Sequence, residues 1–151
     1  MTTPRNYRDT PVDVKLVLSA LWVTMLFVFA YVDIFGFYRA DVLDAALEGR
    51  MASTPFTVDQ VFLSSTLVYV LPPILMVVLT LVLTPRVNRT VNLVVSFLYL
   101  ITIIVSCVGE TWVYYLAGSL VEVVLLAVLA RVAWRWPHFS AAERAPEPRL
   151  T

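Results

Sequence analysis

The chain has 151 residues, of which 60% are hydrophobic, with a mean hydropathy of +0.81 and a formal net charge of zero. That apolar content exceeds the roughly half found in ordinary soluble domains, and the length leaves room for a few spanning helices of about 20 residues each and no separate catalytic domain. The neutral balance excludes a nucleic-acid binder, which needs basic surface to displace counterions from phosphates, and Cys107, the single cysteine, reads as a small hydrophobe inside an apolar run.

Four apolar segments follow one another at about 16–38, 61–83, 91–108 and 112–133. Each can cross a hydrocarbon core of about 30 Å at 1.5 Å per residue, the third only just. The runs are apolar all round, not alternating with period two, which predicts helices and not barrel strands. The first run is too long for the core of a secretory leader and lacks a small-x-small cleavage site, so it reads as a span. The expected fold is all-α: a single four-transmembrane-helix bundle with polar tails over 1–14 and 138–151.

Near the end of the first span, "FAYVDIFGFYR" carries Asp33, 18 residues beyond Lys15 and so about 27 Å along the helix. That depth predicts an acid at the outer interface. The following "ADVLDAALEGR" has apolar residues at helical spacing and Gly49 as a terminator, predicting a short amphipathic helix at the outer surface. "TVDQ", Thr57 to Gln60, matches a capping box at the start of the second span. Within that span "YVLPPILM" places Pro72 and Pro73 mid-helix, which removes the usual donors to the carbonyls of Val68 and Tyr69 and predicts a kink. "TPRVNRT" and "GET" are short connections that force antiparallel neighbours, and the tail "ERAPEPRL" is polar and proline-rich, predicting disorder.

Basic residues decide orientation, since positively charged loops stay in the cytoplasm. Arg5, Arg8, Lys15, Arg86, Arg89, Arg131, Arg135, Arg144 and Arg149 stand against Arg39 and Arg50, nine to two, so both termini are expected in the cytoplasm. Arg86, Arg89, Arg131 and Arg135 flank the spans and carry most of that signal. Trp134 and Trp136 suit the inner aromatic belt, and Phe35, Phe37, Tyr38, Trp112, Tyr114 and Tyr115 the outer one.

The fourth span holds Glu122, nine residues before Arg131 and therefore about 14 Å deep, near the bilayer centre. A charge there costs at least about 2.5 kcal/mol on insertion scales, so the side chain needs a proton, a hydrogen bond or a hydrated cavity. Equal depth from the inner ends puts Thr24, Met76 and Tyr99 in the same layer, with Thr24 and Tyr99 the expected partners. Glu122, Asp33, Tyr99, Thr24 and Tyr115 make up the candidate polar membrane site. Gly118 and Ser119, a turn earlier, allow close helix approach. The one histidine, His138, follows the last span, so no cluster suits a metal or haem, and there is no phosphate loop, nucleophile elbow or helix-borne zinc motif. No enzyme activity and no cofactor are expected.

"LSALW" and "YVDIFGFY", "RVNRTVN", and "VYYLAGSLVEV" leading to "AWRWP" together resemble a family of small four-helix bacterial integral membrane proteins of unknown function, over Leu18 to Pro137. The resemblance puts Asp33, Arg86, Asn88, Arg89, Asn92, Tyr114, Tyr115 and Glu122 on the family's recurrent polar and aromatic positions. It departs at Leu71, where family members carry an acid before the proline. The preference for Arg over Lys, ten of eleven basic residues, suits a GC-rich bacterial genome. Two functional classes follow. One is a structural or accessory membrane component whose partners are the lipid bilayer and, in a homo-oligomer, further copies of itself. The other is a small proton- or cation-coupled transporter using Glu122, similar in type to small multidrug resistance exporters, which carry their glutamate in the first helix. A likeness to four-helix DoxX-like proteins rests on topology alone.

Overall fold

A computed structural model describes residues 11–52, 54 and 56–136. Five helices appear in it: α1 Val14–Gly36, α2 Ala40–Leu47, α3 Gln60–Val82, α4 Pro85–Ser106 and α5 Val113–Trp134. α1, α3, α4 and α5 are each long and apolar enough to cross a membrane, and α2 is the short helix expected between the first two. The tails, with His138, Arg5, Arg8, Arg144 and Arg149, lie outside the described residues apart from positions 11–14.

Local chemistry explains most boundaries. Asp13 caps α1 by accepting the Lys15 amide at 2.7 Å. Gly49 takes φ +71° just beyond α2, a left-handed stop that the absence of a Cβ makes cheap. The start of α3 corrects the expected capping box. The cap is Asp59, whose carboxylate accepts the Phe62 amide at 2.8 Å, while Thr57 is held extended in an antiparallel bridge to Arg50. Pro85 opens α4 at its first turn, where a missing amide hydrogen costs nothing. The third span therefore begins six residues before the expected position 91, and "PRVNRT" is helix and not loop. The polar residues that suggested a loop include Asn88 and Asn92, which are fully buried on the inward face.

The helices close a ring in which α1 packs against α3 and α5, and α4 packs against α5 and more lightly against α3. α1 and α4 face one another across the axis. The Lys15 ammonium donates to the Leu81 and Leu83 carbonyls at 3.0 and 2.8 Å, closing the C-terminal end of α3 with a cation where the helix dipole favours one. Arg89 lies over the Trp134 ring at 5.1 Å, so the start of α4 and the end of α5 also meet. At the opposite end Arg39 lies over Trp112 at 4.4 Å.

The burial pattern is that of a membrane bundle. No more than 22% of the apolar stretch of any span is buried, and Phe27, Leu63, Val94, Phe97 and Leu120 all point outward. The axis holds Leu18, Trp22, Met25, Met76, Tyr99, Leu126 and Leu129 together with a set of polar side chains. Hydrocarbon solvates the outward face as well as Leu or Val does, so helix association relies on close packing and hydrogen bonds. Gly118 on α5 makes one such close contact, because a Cβ there would collide with the Val32 side chain of α1. Gly118→Ala is expected to lower the unfolding free energy in detergent, since overpacking costs about 1–3 kcal/mol against the roughly 1 kcal/mol that Ala gains in helix propensity. A denaturant titration of the purified protein checks it.

Candidate functional site

The axis carries two polar zones. Near the Lys15 end the Trp22 indole Nε1 donates to Asn92 Oδ1 at 2.8 Å, linking α1 to α4 across the bundle. Asn92 Nδ2 donates to the Asn88 carbonyl and to Asn88 Oδ1 at 2.9 and 2.7 Å, and Asn88 Nδ2 donates to the Thr80 carbonyl of α3 at 2.5 Å. Ser19 donates to the Val77 carbonyl at 2.9 Å. These side chains sit at helical spacing on α4, where Asn88, Asn92, Ser96 and Tyr99 form one inward stripe. Two hydroxyls in this zone, Thr80 Oγ1 and Ser96 Oγ, are buried with no hydrogen-bond partner among the described residues.

The second zone surrounds Glu122. This side chain is 4% exposed, and no hydrogen-bond or ion-pair partner for it occurs among the described residues. Asp33 of α1 lies within its electrostatic reach, as do Tyr69 of α3 and Tyr115 of α5, with Ser106 beside Tyr115. Asp33 itself is exposed, three residues before the end of α1. Tyr69, Tyr99 and Phe29 form an aromatic cluster with ring centroids 5.1 to 6.5 Å apart.

The expected partners of Glu122 are engaged elsewhere. Thr24 is exposed and bonds to the Ala20 carbonyl of its own helix at 2.9 Å, facing a groove lined by Phe27, Tyr31 and Tyr114. Counting depth along the helix puts Thr24 in the right layer but leaves its rotation about the axis undetermined. Tyr99 is buried on the axis, yet its hydroxyl donates to the Tyr69 carbonyl. That carbonyl is the one Pro73 deprives of a helical donor. A tyrosine from α4 thus replaces the missing backbone bond, and α3 stays a single helix from Gln60 to Val82. The Tyr69 hydroxyl pairs with Thr102 at 2.8 Å.

A third set of charges closes the far end. Arg39 bonds to Asp41 at 2.7 Å and Glu110 at 3.3 Å, joining the start of α2 to the turn between α4 and α5. Gly109 enters that turn at φ +85°. Glu110 also accepts the amides of Thr111 and Trp112 at 2.8 and 2.9 Å. The Trp112 amide first, then Thr111 and Arg39, hold its carboxyl below the usual 4.5, while Arg39 holds Asp41 low and is itself raised, chiefly by Asp41.

A ring of four membrane-length helices with a hydrogen-bonded polar axis defines a small helical-bundle membrane protein. The model of the family described as "Family of unknown function (DUF6326)" matches residues 10–141, and the chain belongs to that family. No curated protein and no solved structure matches it. Asn88, Asn92, Trp22 and Thr80 were absent from the set of site residues that depth alone suggests. The available signal was the i, i+4 spacing of Asn88, Asn92 and Ser96.

Two outcomes test this geometry. Tyr99→Phe should destabilise the bundle by about 1–3 kcal/mol, the cost of leaving a buried carbonyl unpaired. Most of that loss should vanish in a Pro73→Ala background, where the helix supplies its own donor; a double-mutant cycle in detergent measures the coupling. Glu110, held low in the folded state, contributes stability that is complete above its unfolded value and is lost as pH falls through the folded one. Glu110→Gln should therefore flatten the fall in thermal stability below about pH 4.5.

Proposed function

We infer that the chain is a structural or accessory component of the bacterial cytoplasmic membrane, with both termini in the cytoplasm and no catalytic chemistry of its own. The observation that carries this reading is the use made of the interior polar groups. Trp22, Asn88, Ser19 and Tyr99 donate to other helices, Tyr99 to the orphaned backbone of α3, and Asn92 accepts from Trp22 across the bundle while its amide holds Asn88 in place. Bonds of this kind contribute about 0.6 kcal/mol each on average in membrane proteins and reach about 1.7, which suits a scaffold. The orientation is supported by the gathering of Lys15, Arg86, Arg89, Arg131 and Arg135 at one end of the bundle and of Arg39 and Arg50 towards the other. The partners on this reading are the bilayer and further copies of the chain.

One observation favours a second reading. Glu122 stands outside the interior bonds although it is 4% exposed, and ionisable groups inside membrane bundles mark ion pathways and proton relays. On that reading the protein is a small proton- or cation-coupled transporter.

Two experiments separate these statements. In a Cys107→Ser background, an impermeant thiol reagent added to intact cells should label Ala52→Cys and should label Ser140→Cys only after permeabilisation; the reverse pattern overturns the orientation. In proteoliposomes, the accessory reading expects no solute-dependent proton movement across a panel of cationic, acidic and neutral solutes. Proton movement that Glu122→Gln abolishes establishes the transporter instead.

A further inference from the structure

Nine residues back from Ser106, the last residue of α4, is Phe97, and nine on from Val113, the first of α5, is Glu122. The two helices are antiparallel neighbours joined by a short turn, so Glu122 stands level with position 97, about 14 Å from the turn. The inward-facing residue of α4 nearest that level is Ser96, at 1% exposure, whose hydroxyl has no partner among the described residues. Towards the Lys15 end the inward stripe continues through Asn92 and Asn88 to Thr80, whose hydroxyl is likewise unpartnered and fully buried. Towards the Arg39 end the axis is filled by Ile103 and the rings of Phe29, Tyr69 and Tyr99.

Three groups in one column thus have unused hydrogen-bonding capacity: the Glu122 carboxyl, Ser96 Oγ and Thr80 Oγ1. Buried hydroxyls without partners are uncommon, and where the surroundings are polar an internal water usually satisfies them. Thr80 lies beside Asn88, which bonds its carbonyl, and Ser96 stands one turn from Asn92, so each hydroxyl has an asparagine close to it along the axis. Towards Lys15 the polar side chains of the axis, apart from Lys15 itself, are uncharged, while towards Arg39 the buried Ser119 and the carboxylate of Asp33 accompany the aromatic cluster.

We propose that Ser96 and Thr80 mark a hydrated thread along the bundle axis that delivers protons to Glu122 from the Lys15 end. The ligand is the proton, carried on water, and Glu122 is its acceptor. The titratable groups facing that acceptor are Asp33 from α1, Tyr69 from α3 and Tyr115 from its own helix, with Tyr99 of α4 at a similar level but committed to the Tyr69 carbonyl. The ion pairs among the described residues all lie outside the spans, so the charge of Glu122 is set by its proton and not by a bound side-chain cation. The thread supplies the proton route that the second reading requires and rests on that reading for its physiological use, but not for its existence.

The test is infrared spectroscopy of the reconstituted full-length protein, following the carbonyl stretch of the protonated carboxyl during exchange into D2O. A band that Glu122→Gln removes and Asp33→Asn leaves in place belongs to Glu122. Its exchange should slow about tenfold or more in Ser96→Ala and Thr80→Val, each of which deletes one hydrogen-bonding step, and should recover in Ser96→Thr and Thr80→Ser. Unchanged exchange in both deletion variants, or absence of a Glu122 band at every pH, overturns the thread. If instead the two hydroxyls are dry, Ser96→Ala and Thr80→Val raise thermal stability without altering exchange, which also overturns it. Loss of solute transport with the exchange pattern intact would remove the transporter reading and leave the thread standing.

Discussion

The hydrogen bond from the Trp22 indole to Asn92 crosses the bundle between two helices that face each other over the axis. In hydrocarbon there is no hydrophobic force to press helices together, so a bond across the axis fixes both the separation and the rotation of α1 and α4. Asn92 is held in turn by Asn88, and Asn88 by the backbone of α3. Three of the four spans are therefore tied through a single chain of side chains, and α5 is held against them by the close approach of Gly118 to Val32.

The same constraint governs α3. Two prolines would break a helix in water at a cost of several kcal/mol, and in lipid the freed carbonyls have no solvent to turn to. Tyr99 supplies the hydroxyl that the Tyr69 carbonyl lacks. The tyrosine that equal depth would assign to Glu122 is thereby used to keep a membrane helix whole, and Glu122 is left with electrostatic neighbours but no bond. An acid with no bonding partner among the described residues, beside a scaffold whose tryptophan, asparagine and tyrosine side chains are bonded, is the feature that separates the bundle's architecture from any activity it has.

The ends of the bundle follow different chemistry from its middle. At one end Lys15 closes the last carbonyls of α3, and at the other Arg39 gathers Asp41, Glu110 and the Trp112 ring. Each places a charge where water or headgroups can share its solvation. The long side chains also pin connections that would otherwise be free to move. The exposed Leu43 and Leu47, one turn apart on α2, add an apolar edge suited to a membrane interface.

Four spans, their approximate limits and the short helix after the first of them are all legible in the amino-acid order, as is the distance of Glu122 from any basic residue of its own span. Each depends on local quantities: the length of an apolar run, the spacing of residues on one helix, or the depth of a residue below the nearest charge. The start of α4 was misread because Asn88 and Asn92 look like loop residues, whereas an axis-facing position accepts polarity once its hydrogen bonds are met. Asp59 displaced Thr57 as a cap because the bridge between Arg50 and Thr57 set where the chain turns into the helix. The fate of Thr24 and Tyr99 was decided by helix rotation, which no single run of sequence encodes. Depth is a property of one helix and can be counted; direction about the axis arises only when four helices pack, because it is the contacts between them that choose which face turns inward.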